Sequence, residues 1–257
     1  MPTLRAIPAF EDNYIWVLAD ADGRALVVDP GDAGPVLAAI DSEGLQPAAI
    51  LLTHHHPDHI GGAAQLLQRF EVPCYAPVDP RIDCATHRVG NGDGVAIPEL
   101  GLHFTTIEVH GHTSSHIAFF GGNIVFCGDT LFSLGCGRMF EGTPEQMLAS
   151  LDRLAALPAE TLVCCGHEYT LANAAFASVI EPGNPALQDR FREARALRAA
   201  GKPSVPSRMS SELACNPFLR IDEPTVRAAI ERHLDAPCPD RVQAFATLRQ
   251  WKDGFQA

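Results

Sequence analysis

Residues 53–62 read Thr53-His54-His55-His56-Pro57-Asp58-His59-Ile60-Gly61-Gly62, with four imidazoles and one carboxylate between positions 54 and 59. Ala48-Ala49-Ile50-Leu51-Leu52 before them is an apolar, partly β-branched run, the pattern of a buried strand. Ile60 to Phe70 after them has helical spacing. The cluster therefore sits on a strand-to-helix loop, at the carboxyl end of a strand, where open α/β architectures place their ligands. In an extended loop His54 and His56 project to the same side, while Asp58 and His59 reach a second position at the helix entry. Imidazole and carboxylate are ordinary ligands of zinc and similar ions. The split between the two pairs suggests two metals side by side. His55 has the opposite parity and is read as non-ligating. Histidine tracts elsewhere are often tags or surface decoration, but this one is internal, lies between two patterned apolar segments and carries Asp58.

The chain has 257 residues, 46% hydrophobic and 19% charged, which suits a soluble protein with a sizeable core. Its net charge of −12 argues against a nucleic-acid surface and requires a local basic patch for any anionic substrate. Met1 to Phe10 lacks the basic start and apolar centre of a signal peptide, and no apolar run reaches membrane-spanning length. The eight cysteines, Cys74, Cys84, Cys127, Cys136, Cys164, Cys165, Cys215 and Cys238, show no CxxC spacing. They are read as reduced thiols rather than a disulfide framework. A cytoplasmic monomer with no nucleic-acid or membrane partner is expected.

Along the chain, Tyr14–Leu18 and Ala25–Val28 are strand-like and joined by a turn at Asp20-Ala21-Asp22-Gly23. Asp29-Pro30-Gly31 closes the second run. Asp29 reads first as a turn residue; beside the metal loop it would instead orient a ligand imidazole. Val36 to Gly44 looks helical. Leu102 to Val109 is a strand delivering His110-Gly111-His112-Thr113-Ser114-Ser115-His116, and Asn123 to Cys127 is another, ending in Gly128-Asp129-Thr130. Pro144 to Leu157 is an amphipathic helix. Leu162 to Cys165 ends in Gly166-His167-Glu168-Tyr169. A lone buried histidine is more often a satisfied core residue, and an Asp after Gly more often a turn. Four apolar runs that each end in His or Asp point instead to one shared site. From Leu171 strand patterns fade and helices dominate, at 171–180, 185–200, 225–234 and 240–251. The reading is an α+β chain with a main domain over 1–170 and a smaller, mostly helical domain over 171–257.

At these residues the chain resembles the metallo-β-lactamase superfamily, whose signature is HxHxDH on such a loop. More closely, it is similar to the glyoxalase II family, the hydroxyacylglutathione hydrolases. THHHPDHIGG, GHTSSH, FCGDTLF, GCGRMFEG, CGHEYT and a terminal RxxKDxF occur in the family's order along the whole chain. The resemblance implies an αββα sandwich, two mixed sheets face to face with helices outside, followed by the helical domain. It implies two divalent metal ions, zinc first, with iron or manganese as alternatives. His54, His56 and His112 would hold one; Asp58, His59 and His167 the other; Asp129 would bridge them. His110 competes with His112, since His110-Gly111-His112 is itself an HxH. The family usually has Gly where Ser115 stands, so Ser115 is strained if that backbone requires positive φ. Glutathione contacts are implied for Arg138, Phe140, Tyr169, Arg249 and Lys252. Phe140 brings no hydroxyl where some relatives have Tyr.

What the resemblance implies chemically is thioester hydrolysis. S-(2-hydroxyacyl)glutathione, typically the D-lactoyl form, would give glutathione and the 2-hydroxy acid, as in the second step of methylglyoxal detoxification. The nucleophile would be a metal-bridging hydroxide, with Asp58 orienting it. A thiolate leaving group, with a pKa of about 8.5, departs with little help from a general acid. No Gly-x-Ser-x-Gly elbow offers a serine route. The competing readings are a one-iron glutathione persulfide dioxygenase, another hydrolase of the superfamily such as a lactonase or β-lactamase, and a non-catalytic metal-binding scaffold.

Overall fold

The computed structural model describes residues 2–238 and 240–256 and divides into two units, Met1–Glu108 with Ser115–Gly128, and Val109–Ser114 with Asp129–Ala257. In the first, β1 (Thr3–Ala9), β2 (Asn13–Ala19) and β3 (Arg24–Val28) form an antiparallel meander. The β2–β3 turn is held by Asp20, whose carboxylate accepts from the Asp22 and Arg24 amides, and by Gly23 at φ 83°. Helix α1 (Ala33–Glu43) then crosses over to β4 (Gln46–Leu51), parallel to β3. Two short helices, α2 (Pro57–Ile60) and α3 (Ala63–Arg69), lead to β5 (Cys74–Pro77), parallel to β4, and to β6 (His87–Val89), parallel to β5.

This mixed sheet is apolar on both faces, as the unbroken apolar runs of β2, β3 and β4 require. Ile15, Val17, Val27 and Ile50 share a core with Val36 and Ile40 of α1 and Leu66 of α3. Their neighbours in sequence, Trp16, Leu18, Leu26 and Leu51, are equally buried and point to the opposite face. The unit closes with an antiparallel meander of β7 (Gly94–Ile97), β8 (Leu102–Glu108), β9 (Ile117–Gly121) and β10 (Ile124–Gly128), where Phe104 and Phe126 pack ring to ring.

Two helices of this unit differ from the sequence reading. Helix α1 starts three residues before Val36 because Asp32 caps it, accepting from the Gly34 amide at 2.8 Å. The single helix expected over 60–70 is broken at Gly61-Gly62. A Cβ on Gly62 would lie 2.3 Å from the Ala33 amide nitrogen, so the break lets the β3–α1 loop close onto the metal loop.

The second unit carries a hairpin of β11 (Leu131–Phe132) and β12 (Gly135–Cys136), then α4 (Pro144–Ala155), which opens with a Thr143/Gln146 capping box. Strand β13 (Leu162–Cys165) is followed by α5 (Thr170–Ile180), α6 (Pro185–Ala199), β14 (Ser207–Arg208), α7 (Met209–Cys215), α8 (Pro224–Leu234) and α9 (Arg241–Gly254). Neither β14, antiparallel to β13, nor α7 is legible as a pattern; both are too short to show a period. Phe176, Phe218, Phe245 and Trp251 form the aromatic core. No helix among the described residues is long and apolar enough to cross a membrane.

Four of these helices spend buried polar groups on the β11–β12 hairpin. Asn173 of α5 donates to the Ser133 carbonyl, and Arg190 of α6 to the Ser133 hydroxyl. In α7, Glu212 accepts from the Leu134 amide, while Asn216 just beyond donates to the carbonyls of Phe132 and Gly135. Arg249 of α9 donates to the Cys136 carbonyl at 2.6 Å. A two-residue-per-strand hairpin leaves most of its backbone groups unpaired, and burial makes each of them costly without a partner. The helical region thus fixes a loop of the candidate site.

Candidate metal centre

In the first unit the cluster is built on the ends of β3 and β4. Their parallel pairing sets Val28 opposite Leu51, so the loops that follow emerge side by side. Asp29, at φ 50°, is buried and turns back toward the next strand's end. Its carboxylate accepts from the Thr53 amide at 2.8 Å, the Thr53 hydroxyl at 2.7 Å and His59 Nδ1 at 2.9 Å. The turn reading of Asp29 is therefore corrected: it is an orienting residue.

The protons follow from this. An ionised carboxylate only accepts, so His59 donates through Nδ1 and keeps its lone pair on Nε2. The Thr53 hydroxyl likewise donates to Asp29, leaving its oxygen to accept from His54 Nδ1 at 3.0 Å. His54 then also carries its lone pair on Nε2. One carboxylate sets the tautomers of two histidines, the usual way a protein prepares imidazole ligands. His54 Nε2 lies 3.1 Å from His56 Nδ1, a spacing at which the two nitrogens must share a proton or a cation. The His54 ring also stacks on His116, centroids 4.5 Å apart. Asp58 is held by Asn13, whose amide donates to Oδ2 at 2.9 Å. Gly31 makes room here, since a Cβ on it would lie 1.8 Å from the Asp58 carbonyl oxygen.

By proximity Asp29, His54 and His59 also qualify as a metal triad, their ligand atoms lying within 4.8 Å of one another. The hydrogen bonds decide otherwise, because Asp29 is committed to donors. Asp29→Ala is expected to lower bound metal per chain and to cost about 10- to 100-fold in metal affinity or kcat/KM. Titration with metal and a rate assay check this; an Ala variant with unaltered metal content and rate would remove Asp29 from the site.

His55 turns away from this set. Its Nδ1 lies 3.6 Å from Asp79 Oδ2. Arg81 holds the buried Asp79 well below the usual carboxylate range against the opposing effect of burial, helped by Ser115. Ser115 itself is not among the residues at positive φ, and its hydroxyl donates to Asp79 at 2.5 Å. The residue in place of the family glycine is thus unstrained, because its backbone does not need the left-handed region.

In the second unit His112, Asp129 and His167 converge, and all three are buried. His112 Nδ1 donates to the Arg138 carbonyl at 2.8 Å, so its lone pair is on Nε2, which faces Asp129 Oδ2 at 3.4 Å. His167 Nε2 lies 3.2 Å from the same oxygen. A neutral His112 turns its Nε2 lone pair toward that carboxylate, which is repulsive unless a proton or a metal ion lies between them, and two imidazoles about one carboxylate are a donor set that fits a metal. A Cβ on Gly137 would lie 1.9 Å from the Asp129 carbonyl oxygen, which accounts for the glycine in GCGR. His110 is only partly buried, and its carbonyl accepts from Ser150.

Tyr169 stacks on His167, ring centroids 4.8 Å apart, and Phe132 packs edge-on against both. Phe140 is exposed and meets His112 edge-on at 5.3 Å. Two cations pair with one carboxylate: Arg138 Nε is 3.4 Å and Arg249 3.0 Å from Asp253 Oδ1, while Lys252 of α9 lies with its Nζ 5.7 Å from the centre of the Phe176 ring. Burial, then the charges of Arg249 and Arg138, push the Lys252 ammonium down. Arg249 is only 4% exposed and committed to Cys136 and Asp253, whereas Arg138 is open to solvent. The sequence pairs Arg249 with Lys252 as equals; the structure separates them. Asn13, Asp79 and Phe132 were not anticipated, and no local signal marks them.

A family model described as the metallo-beta-lactamase superfamily matches residues 10–167, and one described as the hydroxyacylglutathione hydrolase C-terminus matches residues 168–255. A hydroxyacylglutathione hydrolase of Xylella fastidiosa (strain M12) is 58% identical over 253 residues, covering 98% of this chain and 97% of its own. One from Xanthomonas campestris pv. campestris (strain B100) is 57% identical over 255 residues, 99% of each chain. Among solved structures, ETHE1 from Myxococcus xanthus aligns with a TM-score of 0.65 and 25% identity over 96% of this chain and 98% of that one.

Proposed function

The chain belongs to the metallo-β-lactamase superfamily and, within it, to the hydroxyacylglutathione hydrolases, and from that premise we propose that it hydrolyses S-(2-hydroxyacyl)glutathione, typically the D-lactoyl thioester, to glutathione and a 2-hydroxy acid. The observation that carries this is the likeness to those enzymes over nearly the whole chain, helical region included. The fold is the αββα sandwich with a smaller helical C-terminal domain. We assign catalysis to 1–170 and substrate binding to 171–257, a division supported by the meeting of the two family models at residues 167 and 168.

We assign one divalent ion to His54, His56 and His112, a second to Asp58, His59 and His167, and the bridge to Asp129. Zinc is the first choice and iron or manganese the alternatives, because imidazole and carboxylate accept all three. When bound, such ions acidify water and polarise a carbonyl at neutral pH. The chain's own residues do the rest. Asp29 and Thr53 hold His54 and His59 in the tautomers that present Nε2. Asn13 aims Asp58, which orients the attacking water and takes up its proton. The leaving thiolate needs no acid. Tyr169 and Phe140 offer ring faces to the glutathionyl part, and Arg138 and Lys252 offer charge to its carboxylates in a protein whose net charge is −12. Arg249 acts one step back by fixing Cys136 and Asp253.

The test is to assay S-D-lactoylglutathione hydrolysis while counting metal per chain. Thioester turnover with two ions per chain is expected. Oxygen uptake on glutathione persulfide with one iron, and no thioester turnover, would overturn the proposal.

Substrate reading gives a separate expectation. Arg138 and Lys252 would touch a part of the substrate that does not react, so each Ala variant should raise KM and leave kcat nearly unchanged. A charge-assisted hydrogen bond contributes about 1.5–3 kcal/mol, on the order of a 10- to 150-fold loss in kcat/KM, with exposed Arg138 at the low end. A short thioester without the glutathione carboxylates should be indifferent. Equal losses on both substrates would mean that these cations do not read glutathione.

A further inference from the structure

In the second unit His167 is held between rings from two segments. Tyr169 lies flat against it, 5° off parallel, and Phe132 meets it at 81°. The two outer rings also touch each other edge-on, centroids 5.2 Å apart. Their neighbours in sequence are buried polar residues. Ser133 follows Phe132 in the β11–β12 hairpin, and Glu168 stands between His167 and Tyr169 with its side chain only 7% exposed. Both lead to one guanidinium on α6. Arg190 Nη2 donates to the Ser133 hydroxyl at 3.1 Å and to the Ser204 carbonyl at 2.6 Å. Ser204 in turn gives its amide to Glu168 Oε2 at 2.8 Å and its hydroxyl to Oε1. The same hydroxyl meets that of Thr170 at 2.7 Å. A carboxylate only accepts, and Ser204 has one hydroxyl proton, so Thr170 donates to Ser204. Arg198, also on α6, brings a second guanidinium to 3.7 Å from Glu168.

We propose that Arg190 is a positioning residue for His167. By tying Ser133 to Ser204, and through Ser204 to Glu168, it fixes the hairpin against the His167 loop and so sets the ring sandwich that aims the imidazole. The inference rests on the assignment of His167 to a metal ion made above. Burying a charged side chain is costly unless it is paired, and apolar side chains of similar size often serve stability as well. Here the buried groups join two segments that each place a ring on His167, which is a matter of geometry. Asp29 and Thr53 aim His59 and His54 by hydrogen bonds to the ring nitrogens; the aim of His167 also depends on ring packing braced from α6.

The experiment loads full-length wild type, Arg190→Met, Glu168→Gln and the double variant with cobalt(II). It reads the visible absorption of bound cobalt, cobalt affinity by chelator competition, and Tm of the metal-free protein. Arg190→Met removes the donors and keeps much of the side-chain length. It should weaken one of the two cobalt ions by about 3- to 10-fold, less than the roughly 10- to 100-fold typical of a group bonded to the ligand itself, and change the cobalt absorption. Glu168→Gln, which keeps an acceptor for only one of the two Ser204 donors, should weaken the same ion. The double variant should lose no more than about the larger single loss, because both residues act through Ser204. If Arg190→Met does not fold, Ser133→Ala carries the test, since it removes only the hydroxyl through which Arg190 holds the hairpin; a loss of about 2- to 5-fold at the same ion is expected. A lowered Tm with wild-type cobalt affinity and absorption, equal weakening of both ions, or additive losses in the double variant would each overturn the proposal. The cobalt measurements use no thioester, so they decide this inference separately; a wild type without S-D-lactoylglutathione turnover would overturn the function above and not this reading.

Discussion

Asp58→Ala is expected to cut kcat by on the order of 10²- to 10⁴-fold, the range of a positioned proton acceptor, with bound metal falling from two ions per chain toward one. Asp58 is assigned to one ion and also to the orientation of water, so its loss acts on both. The fold should survive. Asp58 stands in the first turn of α2, partly exposed, and its carboxylate is tied to Asn13 rather than to the core. Far-ultraviolet circular dichroism close to wild type is therefore expected beside the kinetic loss. Asn13→Ala should lie between the two, because it frees the Asp58 side chain without removing it. Metal analysis and turnover of the two variants together decide the matter. An Asp58→Ala enzyme that keeps two ions and wild-type turnover would dismantle the assignment of the second ion.

His112→Ala and His110→Ala should part widely. His112 is buried, its Nδ1 committed to the Arg138 carbonyl and its Nε2 directed at Asp129. Removing it deletes a proposed ligand, and the loss in metal affinity and rate should exceed the roughly 10- to 100-fold typical of an outer partner. It also releases the Arg138 carbonyl and the packing of Phe140, which bears on the substrate side. His110 is only partly buried, and the Ser150 hydroxyl reaches its carbonyl, not its ring; a backbone contact survives substitution. His110→Ala should stay within a few-fold of wild type, since a single hydrogen bond contributes about 0.5–1.5 kcal/mol. The reverse ranking would show that the HxH register is shifted by two.

Much of this protein is written locally. The apolar runs of β2, β3, β4 and β13 are strands because a continuous apolar segment bounded by turn residues has few other uses. The 53–62 stretch announces a metal by residue type and parity, and the parity argument also turned His55 outward, toward Asp79. Candidate ligands are legible because they depend on side-chain chemistry and on spacing within one loop. What the tertiary structure alone decided depends on pairing between distant segments. Asp29 looks like a turn residue until β3 is known to run parallel to β4, which lays its carboxylate against Thr53 and His59. Asn13 lies 45 residues from Asp58, and no pattern in either segment points to the other. Arg249 and Lys252 are equivalent on a helical projection, yet the hairpin at Cys136 takes Arg249, while the Lys252 ammonium lies over the rings of Phe176 and Phe255. Helix α7 is seven residues long, too short for a period, and it is ordered by the backbone groups of the hairpin it satisfies. Local pattern is set by what each residue does in water and in a core; long-range register is set by which faces meet, and only the folded chain contains that.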